Sequence, residues 1–212
     1  MSMVAHRHAD LKVDVPEGVS GEWLVRRVTV SEEDEMSARL RCALKPQRPA
    51  RYVPAGTYTQ LKRGLLTIVM SDTPDEIDDF REPLNKAKGR CLINGLGLGV
   101  VANAMLMKPE VEHLTVIELS EDVIKLVGPW LVDKHGDRVN IIHADAFMWK
   151  PPKGAFYDVV WHDIWDDISE DNLDEMKRLK LRYGRCCGWQ GCWAQEHCRA
   201  QRDRVRNGRG WY

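Results

Sequence analysis

The chain has 212 residues, 43% of them hydrophobic and 30% charged, with a formal net charge of −1. Those values exclude wholesale disorder and any global electrostatic pull toward nucleic acid or a membrane surface. No stretch approaches the roughly 18 apolar residues of a membrane span, and the opening "MSMVAHRHADLK" has no apolar h-region, so the chain reads as cytoplasmic.

The first part, residues 1–71, reads as a β-rich segment. "EWLVRRVTV" (22–30) is a strand, and "YTQLKRGLLTIVM" (58–70) is two strands about a turn at Arg63-Gly64. "KPQRPARYVPAG" between them, with its three prolines, is loop. "SDTPDEIDDF" then signals a helix start: Thr73 as N-cap, Pro74 at the first helical position and Glu76 where a capping box needs it. Pro83 should bend or end that helix.

From residue 90 strands and helices alternate, within a second unit taken as residues 72–212. "RCLING" is a strand, "GVVANAMLMK" a helix stopped by Pro109, and "HLTVIE" a second strand. "SEDVIKLVGPWL" opens on Ser120 and is interrupted at Gly128-Pro129, while "VNIIHAD" and "YDVVWHD" are two more strands. "SEDNLDEMKRLKLRYG" is an amphipathic helix ending on Gly184. From Trp189 onward a helix or coil is expected, because "GWQGCW" is rich in glycine, with Trp189 and Trp193 packed on the body. This order predicts right-handed βαβ units and a parallel sheet covered on both faces.

The six cysteines fit a reducing environment, since Cys186, Cys187, Cys192, Cys198 and His197 match no zinc-site spacing and no metal is expected. The basic tail with Arg202, Arg204, Arg206 and Arg209 reads as a solvated terminus in preference to a nucleic-acid contact.

The chemistry gathers at strand ends. Gly95, Gly97 and Gly99 follow the first strand of the alternating part, where a parallel sheet places its ligand. A dinucleotide loop should read G-x-G-x-x-G, but Val100 stands where its third glycine belongs. Glu118 ends the next strand, 19 residues past Gly99, where a carboxylate can accept hydrogen bonds from ribose hydroxyls. Asp145-Ala146 is placed to meet an adenine amine, and Asp163 arrives at the same edge. Asp163 is the candidate base or substrate-orienting carboxylate; alternation points His162 away from it.

The combination "INGLGLG", "VIE", "HADAF" and "YDVVWHD" resembles the class I S-adenosylmethionine-dependent methyltransferases. The resemblance implies a Rossmann-like α/β sheet with S-adenosyl-L-methionine held by Asn94, Gly95, Gly97, Gly99, Glu118, Leu119, Asp145 and Ala146, and with Asp163 catalytic. Within that family the segment is similar to the spermidine synthase branch, through the β-rich start, "TYTQL" and "VEHLTVIELSEDVIKLV". That likeness implies Tyr58 and Gln60 on the substrate side; Trp165, after the fourth strand, is placed with Trp161 to wall the pocket there. The branch expects an acid within the glycine motif, where this chain has Leu96 or Leu98, and an Asp-Ser-Ser-like run where it has "HDIWDD". A cationic aminopropyl group would lack its partner, so methyl transfer to an unidentified substrate leads, ahead of aminopropyl transfer or a catalytically idle nucleoside-binding scaffold. Against the family the chain looks shortened at its C-terminal end, without the usual fifth strand and terminal hairpin. An uncovered sheet edge would then invite a homodimer, unless the N-terminal segment covers it.

Overall fold

The computed structural model describes residues 8–44 and 52–208. In chain order the elements are α1 (His8–Leu11), β1 (Gly18–Ser20), β2 (Trp23–Val30), α2 (Glu32–Ala43), β3 (Gly56–Arg63), β4 (Thr67–Ser71), α3 (Pro74–Asp79) and α4 (Arg81–Lys86). Then follow β5 (Gly89–Asn94), α5 (Val100–Leu106), β6 (Val111–Glu118), α6 (Glu121–His135), β7 (Val139–His143), β8 (Tyr157–His162), α7 (Asn172–Tyr183), β9 (Cys187–Cys192) and α8 (Gln195–Arg206). Most of the proline-rich loop and Arg209 lie outside the described residues.

The fold is α/β. Strands β5 to β9 form one parallel sheet in the order β7-β6-β5-β8-β9, and β1 to β4 form a separate antiparallel sheet. The chain winds outward from β5 through β6 to β7, then returns to the other side of β5 as β8. The strand order therefore reverses between β5 and β8, which opens a crevice beyond their carboxyl ends. Strand alternation sorts the core: Cys91, Ile93, Val159 and Trp161 face one apolar cluster, while Leu92 and Val160 face the other. Leu11, Val13, Val15, Val25 and Leu61 from the N-terminal part belong to the first cluster, so the two sheets share a core. Asp72, buried at the end of β4, accepts the amides of Val13 and Thr59 and ties the first segment down.

Three expectations are corrected. Helix α6 runs unbroken through Pro129. Proline there costs the bond to the Lys125 carbonyl, but both residues are exposed and water can satisfy that oxygen. Thr73 caps α3 without a side-chain bond, and Glu76 reaches back to Ser71 instead; the break falls at Phe80, with Pro83 tolerated in the first turn of α4. Trp189 lies in a strand, not in helix or coil: β9 pairs with β8 and supplies the fifth strand thought missing, and the expected helix begins only after it, as α8. Gly191 of β9 is a packing requirement, since a Cβ there would lie 2.6 Å from Trp189 and 2.8 Å from Trp161. Those two indoles stack at 6.4 Å, and Trp189 and Trp193 both pack on the core.

Candidate functional site

A cavity of about 510 Å³ lies over the carboxyl ends of β5, β6 and β8, roofed by β3, β4 and α3. Gly95, Gly97, Glu118, Leu119, Asp145, Ala146, Asp163 and Trp165 all line it. These came from four separate strand ends in the sequence, and the topology brings them to one place.

The glycine turn is built around the Glu118 carboxylate. Its Oε2 accepts the Leu96 amide at 2.7 Å, and Oε1 accepts the Ser120 amide at 2.7 Å. The amides of Gly97 and Leu119 also favour its ionised form, although burial, the larger effect, pushes its pKa up. The other turn amides are spent too: Gly95 donates to the Ile117 carbonyl, Leu98 to the Met70 sulfur and Gly99 to the Leu96 carbonyl. Four of the five amides from Gly95 to Gly99 are thus spent in hydrogen-bond geometry and that of Gly97 leans on Glu118, so the anion this turn holds is the protein's own Glu118 and not a pyrophosphate. A carboxylate has about four acceptor positions, and two of those on Glu118 are filled in full hydrogen-bond geometry, by Leu96 and Ser120.

All three glycines have positive φ, at 98°, 50° and 78°. Sequence reasoning gave them to ligand access, but each also answers to protein. A Cβ on Gly95 would stand 1.9 Å from the Asp163 carbonyl oxygen, and one on Gly97 would strike the Met70 methyl at 2.7 Å. Gly99 does not reach the cavity; it caps α5 beside Val127 and Trp130.

Asp163 is the most perturbed acid of the site. Enclosure by protein, first of all, and the neighbouring carboxylates Glu76 and Asp79 push its pKa up to about 7, though the carboxylate keeps some surface on the cavity. The Trp161 indole N–H favours its ionised form from a position short of hydrogen-bond geometry, so that Nε1 has no partner among the described residues. His162 points to the opposite face, as alternation requires, where burial drives its pKa down to about 4 and it stays neutral. Asp145 uses Oδ1 to accept the Phe147 amide at 2.7 Å. Trp165 is fixed by donating to Glu175 at 2.8 Å.

Three expected site residues are elsewhere. The Asn94 amide is fully buried between His162 Nδ1 at 2.7 Å and the Tyr183 hydroxyl at 3.1 Å, locking the sheet beneath the site. Tyr58 and Gln60 lie on the face of β3 opposite Leu61, which does line the cavity. Tyr58 donates to the Pro54 carbonyl and Gln60 accepts from Arg26. The same two-residue period that made "TYTQL" a strand turns both away.

Sequence reasoning missed Glu76 and Asp79. Glu76 was read only as a capping-box residue and Asp79 was not singled out, yet both line the cavity, and burial pushes the Glu76 pKa up. It missed Met70 and Arg63 as well. Arg63 pairs with Asp166 across the mouth, over the Trp23 ring, and joins β3 to the loop after β8. Six of the described cavity-lining residues are carboxylic acids, and Arg63 is the only lysine or arginine among them. The wall is therefore rich in carboxyl groups.

No family model matches the chain. Among curated proteins it is similar to the polyamine aminopropyltransferase of Prochlorococcus marinus (strain MIT 9312), at 29% identity over 110 residues, covering 46% of this chain and 39% of that protein. The match thus spans about two fifths of the relative. Among solved structures it is similar to the [4+2]-cyclase SpnF (TM-score 0.43, 21% identity, 55% of this chain and 43% of that one). It is also similar to the 23S rRNA methyltransferase ErmE (TM-score 0.35, 16% identity, 43% of this chain and 36% of that one). A third is YjhP from Escherichia coli (TM-score 0.40, 16% identity, 52% of this chain and 44% of that one).

Proposed function

We propose that this chain is an S-adenosylmethionine-dependent methyltransferase. The observation that carries the reading is the convergence of Glu118, Asp145 and Asp163 on one cavity at the point where the strand order reverses. The site fits such a donor: four of its five turn amides are spent, Glu118 keeps acceptor positions, and the wall is acidic, as suits a sulfonium. When bound, the donor supplies an electrophilic methyl carbon on positively charged sulfur.

The chain's own part is positioning, exclusion of water and proton handling. Glu118 holds the ribose hydroxyls, and the Asp145-Ala146 turn orients the adenine. The roof of β3, β4 and α3 closes the cavity from above. Asp163, with a pKa raised to about 7, orients the acceptor and takes a proton from it at neutral pH. No helix among the described residues is long and apolar enough to cross a membrane. The free cysteines fit work in a reducing compartment such as the cytoplasm.

A second reading, aminopropyl transfer, has one observation in its favour. Glu76 and Asp79 put carboxylates beside Asp163, which makes good the acid absent from the glycine motif. Calorimetry with S-adenosylmethionine, its decarboxylated form, S-adenosylhomocysteine and NAD side by side tests both. Tighter binding of NAD than of adenosylhomocysteine refutes the methyltransferase reading, and a clear preference for the decarboxylated donor selects the second. Donor binding without turnover on any acceptor would make the protein a scaffold.

A further inference from the structure

The glycine turn is held from outside the parallel sheet. Met70 of β4 lines the cavity, and its Sδ accepts the Leu98 amide at 3.2 Å. Leu98 is fully buried, so without the sulfur this amide would face apolar surroundings. The space that Gly97 leaves by lacking a Cβ is filled by the same thioether, 2.8 Å from where that Cβ would stand.

Local backbone geometry aims Met70 at the turn. The β3–β4 ladder pairs Lys62 with Ile68 and Leu61 with Met70, leaving Val69 as an extra residue in a bulge. In an unbroken ladder Leu61 would face Val69, and the two-residue period would put Met70 on the other face. A bulge beside a binding site re-aims a side chain in this way. The pair Leu61–Met70 straddles that shift, and both residues line the cavity.

We propose that Met70 is a positioning residue for the donor: its thioether fixes the Gly97–Leu98 segment in the shape that admits the donor's amino-acid end, so the N-terminal sheet is part of the donor site and not only its cover. This rests on the reading of the cavity as an adenosylmethionine site. A branched alkyl group at 70 fills the volume but accepts no hydrogen bond, whereas glutamine has similar length and offers an amide oxygen.

The test compares Met70→Leu and Met70→Gln with wild type in two measurements. Hydrogen exchange of the Leu98 amide in ligand-free protein reports the turn alone, and calorimetry with S-adenosylhomocysteine reports the donor site. In Met70→Leu the amide should exchange about tenfold faster, and affinity should fall about three- to tenfold, the range for losing one buried hydrogen bond. Met70→Gln should restore both, while the two variants unfold at similar temperatures. Wild-type exchange in both variants would show that Met70 merely fills space and would overturn the proposal. Faster exchange in Met70→Leu with unchanged affinity would overturn the link to the donor. Wild-type protein that binds no adenosylhomocysteine refutes the donor reading itself, and the exchange data still decide whether Met70 holds the turn. If Met70→Leu does not fold, Met70→Gln must show exchange and affinity no worse than wild type.

Discussion

Replacing Asp163 by asparagine should stabilise the protein at alkaline pH and leave it unchanged in acid. The carboxyl titrates near 3.8 in an unfolded chain and at about 7 in the folded one, because enclosure and the charges of Glu76 and Asp79 disfavour its ionised form. A raised carboxyl pKa means the folded state binds this proton more tightly. Stability is therefore lost as pH climbs from about 4 to about 7, with no further change above. At about 1.4 kcal/mol per tenfold, the full gap would cost about 4 kcal/mol; water in the cavity screens the group, so about 2 kcal/mol is the working figure. The Asp163→Asn side chain keeps the shape without the charge and escapes this cost. Urea unfolding of both proteins between pH 4 and 9 should show curves that coincide at the acid end, separate through pH 5–7 and run parallel beyond. Curves parallel across the whole range would mean that Asp163 has an ordinary pKa and is no candidate for proton transfer near neutrality.

Glu118→Ala should weaken adenosylhomocysteine binding by about 2–4 kcal/mol in calorimetry, through loss of the charge-assisted bonds to the ribose. It should also lower the unfolding midpoint, since the Leu96 and Ser120 amides lose their acceptor; a variant with wild-type affinity would leave Glu118 a purely structural acid. Gly97→Val should abolish binding and cost at least about 1–2 kcal/mol of stability, because a β-branched residue is strained at φ 50° and its Cβ meets Met70. Equal stability of this variant and wild type in urea would show that the turn is not held as described. Arg63→Ala breaks a partly exposed pair, so stability should change by less than about 1 kcal/mol. Stopped-flow fluorescence should nonetheless show faster donor release, an effect that shrinks as salt rises; unchanged release rates would separate the Arg63–Asp166 contact from the site.

The parallel sheet was legible because its signals are local and repeated. Runs of β-branched residues in "HLTVIE" and "YDVVWHD", the Ser120 cap and the apolar periods all act within a few residues. Where tertiary context outweighed a local rule, the reading failed. Pro129 is tolerated on a solvent-facing turn of α6, and Gly191 of β9 is demanded by a stacked indole pair whose other member, Trp161, is contributed by β8. Neither fact can be found within the window of residues that carries the rule.

The site divides along the same line. Glu118, Asp145 and Asp163 were readable because each stands at a strand end, and a parallel sheet of this order must gather its strand ends. Glu76, Asp79, Arg63 and Met70 arrive from the antiparallel sheet and the helix after it, and nothing in their local sequence says which way that sheet folds over the crevice. The alternation that hid Tyr58 and Gln60 exposes Leu61, and a single extra residue at Val69 decides that Met70 faces inward. An expectation about a roof requires the packing angle of one sheet on another, which is set by the shared core of Val25, Leu61 and Phe80 and by the tether between Ser20 and Asp122. On the proposed reading the donor half of the site follows from topology, while the acceptor half depends on how the roof seats. The acids that bear on Asp163 belong to that second half, so the proton chemistry of this cavity is set by residues outside the four motifs that first marked it.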